Sequence, residues 1–175
     1  MSERSETRAT VAEGRPRAVL CTGALGIAAA LATPAGAQDL ARYTNVRFAI
    51  TALVPADLHR QPPPANGDGA TFAGPAGEMV LVFGGWDGFG GLGQDMAQRR
   101  GGLAEITYEA AGEGWHVVSG YDGSGAIVYH KAIAGENCRG QSVIGHVEMR
   151  YPQADRGTYD PLVKPIADSL AFAPC

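Results

Sequence analysis

The chain has 175 residues, of which 45% are hydrophobic, 18% charged and 7% aromatic, and a formal net charge of −4. That length predicts one domain, two at most. The dispersed acidic charge excludes the basic footprint that nucleic acid or an anionic membrane surface requires.

Residues 1–37 read as an export signal. Arg15 and Arg17 precede an uncharged apolar run over 18–32, and Ala35-Gly36-Ala37 supplies the small residues a signal peptidase accepts. The run is shorter and richer in Ala and Gly than a spanning helix requires. Leu20 before Cys21 argues against lipidation, and Arg15-Pro16-Arg17 interrupts the adjacent arginines of twin-arginine export, which leaves general secretion. Cleavage after Ala37 leaves residues 38–175 as a single exported domain, periplasmic or secreted, with no stable membrane span. Four Arg and three Glu leave with the signal, taking the charge from −4 to −5.

Along the remaining chain, Val46, Phe48 and Ile50 alternate with Arg47, Ala49 and Thr51, which predicts a half-buried strand ending at Val54-Pro55. Pro62-Pro63-Pro64 and Asn66-Gly67-Asp68-Gly69 make 56–69 loop and tight turn, not a calcium loop, for which the closing Glu is missing. Residues 71–73 and 79–83 are strand candidates, 84–93 is rich in glycine, and 92–100 suits a short helix. Four more strands follow over 105–109, 115–121, 126–133 and 142–151, at a spacing that suits an antiparallel meander. Glu105, Glu109 and Glu113 read as solvated outward positions. Asp160 predicts an N-cap and Pro161 a first helical position, with Leu162, Val163, Ile166, Ala167 and Leu170 as an apolar stripe. Pro165 requires either a later start or a kinked first turn. These elements predict an α+β fold: a single antiparallel sheet of about six to seven strands with a C-terminal helix packed on one face.

Cys21 leaves with the signal, so Cys138 and Cys175 remain, and an even count in an oxidising compartment favours a disulfide over two free thiols. Neither has a Cys-x-x-Cys partner or a nearby His that would make it catalytic.

Gly88-Phe89-Gly90-Gly91-Leu92-Gly93 spells G-x-G-x-x-G, but the helix after it is short and the next strand alternates as an antiparallel one, against a dinucleotide site. Trp86 and Phe89 in this loop either anchor the core or close over a ligand. Further on, a three-residue hairpin loop centred on Gly123 places His116 opposite His130. A zinc site there needs that register, a shared face, and an adjacent strand carrying His146. With those conditions open, no metal ligand and no cofactor is assigned. The ligand-binding candidates are Trp86, Phe89, His116 and His130. Ser119 and Ser124 lie near His116 and Asp122, which gives a small periplasmic hydrolase as the alternative. However, Ser124 sits in a strand–turn–strand setting, and Asp122-Gly123-Ser124-Gly125 is ordinary turn chemistry.

Several segments together resemble a known group. They are Tyr43-x-Asn45-x-Arg47-Phe48 leading to Val54-Pro55, Asn66-Gly67-Asp68-Gly69, Thr107-Tyr108, Trp115-x-Val117-Val118-Ser119-Gly120, and Tyr151-Pro152 before the last helix. The chain is similar to small exported alphaproteobacterial domains of the PsbP-like fold, shared with DcrB-type periplasmic proteins. The resemblance implies helices flanking an antiparallel sheet and a binding or assembly role, and it supplies no catalytic residue. The expectation is a non-catalytic exported module that binds a protein, an envelope component or a small ligand.

Overall fold

Alternating strands and glycine turns build most of the chain. The computed structural model describes residues 38–175 except Phe89; the export signal assigned to 1–37 lies outside the described residues. In order the elements are β1 (Leu40–Asn45), β2 (Ile50–Pro55), β3 (His59–Arg60), β4 (Gly69–Ala73), β5 (Met79–Trp86), α1 (Gly91–Gly101), β6 (Glu105–Gly112), β7 (Trp115–Tyr121), β8 (Ile127–Glu136), β9 (Ser142–Tyr151), α2 (Arg156–Asp168) and β10 (Ala171–Phe172). A seven-stranded antiparallel sheet runs β3-β4-β5-β9-β8-β7-β6, and a second sheet runs β1-β2-β10. The α+β expectation holds, with the N-terminal strands forming their own small sheet beside the large one.

Because side chains alternate along a strand, the large sheet has two distinct faces. One presents Val80, Val82, Val143, Val147, Met149 and Tyr151. These pack with Ile50, Ala52 and Val54 of β2 and Leu162 and Ile166 of α2 into the apolar core. The opposite face carries Phe83, His116, His130, His146 and Glu148, and α1 packs there against β7 and β8.

Three local expectations are corrected. The strand predicted to begin at Val46 is instead a hairpin: β1 ends at Asn45, whose side-chain oxygen accepts the Phe48 amide at 2.9 Å. Ala49 then takes a left-handed φ of 52° and restarts the chain as β2. Val46 sits at the tip, 76% exposed. The last helix begins a turn earlier than predicted, after a 3-10 turn over Gln153–Asp155, and runs through Pro161 and Pro165. Asp160 is no cap, because its carboxylate accepts from the Tyr151 hydroxyl at 2.8 Å and from Arg156 at 3.1 Å. The β7–β8 turn is centred on Ser124, not Gly123. Asp122 N donates to Ala126 O at 3.0 Å, and Gly125 takes the left-handed φ of 81°. Asp122 Oδ1 accepts from the Ser124 amide and hydroxyl and from the Ala126 amide, and Oδ2 from Arg150 at 2.6 Å.

Cys138 and Cys175 form a disulfide with Cα atoms 5.5 Å apart, inside the usual span for a bridge. It ties the C-terminus, already paired through Ala173 N to Ala49 O, to the β8–β9 turn.

Candidate functional site

The shifted turn moves the β7–β8 register by two residues, which preserves the face. His116 opposes Ala132, and His130 opposes Val118. Ala132 also opposes His146 on β9, so this fully buried methyl side chain is flanked across the sheet by two histidines. His130 stands two residues along the same strand. The three conditions on a histidine site therefore resolve as a diagonal register, one face, and an adjacent third strand.

α1 supplies the fourth member. Asp95 reaches down from it so that Oδ2 lies 2.8 Å from His116 Nε2, 3.7 Å from His130 Nε2 and 3.7 Å from His146 Nδ1. His130 Nε2 and His146 Nδ1 are 3.3 Å apart. Four donors on a tetrahedron with metal–ligand bonds of about 2.0–2.1 Å stand roughly 3.3–3.4 Å from one another. Asp95, His116 and His130 hold their ligand atoms within 4.8 Å of one another and so can fill three such positions, with His146 Nδ1 facing the same Asp95 oxygen at 3.7 Å.

Surrounding groups fix the rings. His130 donates its Nδ1 proton to Glu148 Oε2 at 3.3 Å, which turns its Nε2 lone pair toward the centre. His146 stacks on Phe83 with centroids 4.3 Å apart and planes 7° apart, and the Arg99 guanidinium lies over the Phe83 ring, 5.2 Å from its centroid. Arg99 also approaches Asp95 at 3.6 Å and Glu148 at 3.9 Å, and Arg100 pairs with Glu109 at 2.9 Å. Glu109 is thus a partner of α1 and not the freely solvated group its spacing suggested.

The protonation states suit a cation. Burial pushes the His146 imidazole down to about 3, well below its usual 6.5, so it is neutral at pH 7. Burial would raise the Asp95 carboxyl, but the hydrogen bond from His116, the approach of His130 and the positive charge of Arg99 outweigh it and hold it far below the carboxylate range. Here His116 Nδ1 and Arg99 Nε are buried with no partner.

A polar cleft of about 230 Å³ opens beside the cluster, bordered by His146, Asp95, Gln94, Gln98, Asp87 and the backbone of Gly85. Trp86 borders it too, 51% exposed, with its ring edge-on to Phe48 at 4.9 Å. Trp86 thus serves both readings of the loop, anchor and cleft wall, while Phe89 lies outside the described residues. The hydrolase constellation is not brought together. Ser119 points to the opposite face and gives its hydroxyl proton to Val128 O at 2.9 Å, and Asp122 and Ser124 are occupied in the turn. Asp95, Glu148 and Arg99 were missed in the sequence. The signal for Glu148 was its period-2 spacing from His146; Asp95 and Arg99 carried only an i,i+4 pairing on a short helix.

These elements define an α+β domain of the PsbP-like fold with a buried histidine–carboxylate centre. The fold assignment rests on the solution structure of cyanobacterial PsbP (CyanoP) from Synechocystis sp. PCC 6803, which matches with a TM-score of 0.53 at 14% identity over 86% of this chain and 99% of that one. The Saccharomyces cerevisiae Ran-binding protein Mog1p aligns with a TM-score of 0.47 at 8% identity over 79% of this chain and 97% of its own. No family model matches the chain, and no curated protein does.

Proposed function

We propose that the domain is an exported, non-catalytic binding module whose direct ligand is a divalent first-row transition-metal ion of the zinc type. The observation that carries this is the cluster of Asp95, His116 and His130, whose ligand atoms all lie within 4.8 Å of one another, with His146 Nδ1 3.7 Å from the same Asp95 oxygen. Imidazole nitrogen with one carboxylate oxygen suits zinc, and also Fe²⁺, Ni²⁺ or Cu²⁺, better than the oxygen-seeking Mg²⁺ or Ca²⁺. The chain's own contribution is to present a neutral His146 imidazole and an ionised Asp95 carboxylate. Glu148 orients His130 from behind, and α1 closes over the centre. Export is supported by the signal-like residues 1–37 and by the Cys138–Cys175 bridge, which suits an oxidising compartment. Among the described residues no helix is long and apolar enough to cross a membrane.

The test is metal content and calorimetric zinc binding of the protein from Gln38 onward, stripped with chelator and reloaded. One zinc per chain is expected. The substitutions His130→Ala and Asp95→Asn should abolish it, and Glu148→Gln should weaken it by roughly 10–100-fold, as loss of an outer partner does. Circular dichroism of each variant checks the fold. Unchanged zinc binding in both His130→Ala and Asp95→Asn overturns the reading.

A further inference from the structure

We infer that the metal centre is one half of a composite site, and that the adjoining cleft takes a small aminocarboxylate whose carboxylate oxygen binds the ion from the side that the protein leaves open. This rests on the metal reading above and deepens it. His116 and His130 are both 1% exposed and shut off by the sheet and α1, whereas His146 and Asp95 form part of the cleft wall. An ion at the cluster is therefore reached from that side. The cleft's 230 Å³ has room for a ligand of a few heavy atoms.

Charge selects the ligand. A divalent ion with Asp95, Glu148 and Arg99 leaves one net positive charge at the inner end, which favours an anionic donor there. Asp87, in the turn just after β5, places a carboxylate on the cleft wall, where a Cβ on Gly91 would come within 3.6 Å of its Oδ1. It favours an ammonium or another hydrogen-bond donor. Gln94 and Gln98 stand one helical turn apart between the ends and offer both donors and acceptors. A molecule with a carboxylate at one end and an amine a few atoms away matches this sequence of groups.

The cleft's size depends on one missing side chain. Gly85 faces it from β5 beside Ile144 with an ordinary strand φ, and a Cβ there meets nothing within 4 Å. Gly85→Leu therefore adds bulk to the cleft without strain at the backbone or at its Cβ.

The experiment loads the chelator-stripped protein with Co²⁺, whose visible absorption reports its coordination shell, and titrates glycine, acetate and azide separately. Glycine is expected to change the spectrum and to bind at least about tenfold more tightly than acetate. Gly85→Leu is expected to keep the cobalt spectrum and weaken the glycine response at least about tenfold. Asp87→Asn should reduce the preference for glycine over acetate while leaving azide unaffected. A cobalt spectrum that none of the three alters overturns this inference and leaves the metal reading standing, as does a glycine response undiminished in Gly85→Leu. Equal binding of glycine and acetate overturns the aminocarboxylate assignment. Failure of Co²⁺ to bind overturns the metal reading itself.

Discussion

Val82, Val147 and Met149 point from the large sheet toward α2 and the small sheet, while Phe83, His130, His146 and Glu148 point from neighbouring positions toward α1. The first face is covered by buried apolar side chains on both sides of the contact. The second is covered by a helix with no buried side chain, on which Leu92 and Met96 are only half-buried. What holds α1 down is largely polar: Asp95 to the histidines, Arg99 to Glu148 and Phe83, and Arg100 to Glu109. Apolar burial contributes stability in proportion to area, whereas a buried ionic network roughly breaks even against its desolvation cost. The difference teaches that one face makes the fold and the other buries a polar cluster.

This contrast can be broken or sharpened by measurement. Opening the Cys138–Cys175 bridge should have the largest effect, roughly 4 kcal/mol for the 37-residue separation in the chain-entropy model, read as a lower urea midpoint under reducing conditions with metal binding retained. Ile50→Ala, at a position 0% exposed in the apolar core, should cost about 3 kcal/mol by the same measurement and likewise leave zinc stoichiometry intact. Zinc at a hundred times its dissociation constant should raise stability by about 2.7 kcal/mol, an increment present in Ile50→Ala and absent from His130→Ala. A zinc increment that vanishes with Ile50→Ala would show that the faces are not independent.

The smallest effect at neutral pH concerns the metal-free protein in acid. The folded His146 titrates near 3 against 6.5 for the unfolded residue, so between those values the unfolded chain binds a proton that the native one does not. Stability should therefore fall as pH drops from 6.5 toward 3. Asp122, held low mainly by its bond from Ser124, adds further loss below 3.8, as does Asp95. Urea midpoints across this range that stay flat would mean that the histidine is not the neutral, buried group described.

Much of the architecture was legible in the sequence, and the reason is local. The strands β6 to β9 alternate clearly and are separated by glycine turns, and the C-terminal stripe from Leu162 to Leu170 marks its buried face. The Val46–Phe48–Ile50 alternation misled because the Asn45 carboxamide reverses the chain inside it. The hairpin centre was misplaced by one residue because Gly123 and Gly125 both suit a turn, and only the Asp122 cap distinguishes them. Since the side-chain period is two, the resulting two-residue shift cost the direct pairing of His116 with His130 and kept their shared face. Asp95 was out of reach for a different reason. Where a short, weakly apolar helix lands is decided by contacts far away in sequence, and nothing in 91–101 names the strands beneath it.

A lid seated mainly by charge answers to the ionic strength of its surroundings more than to heat. Dissolved salt screens the more exposed Arg100–Glu109 attachment most, and the part-buried Asp95 and Arg99 contacts less. The amides of α1 should accordingly exchange with solvent deuterium faster as sodium chloride is raised, while those of β8 and β9 stay protected. The empty domain would then be most tightly shut in dilute media and most accessible in saline ones.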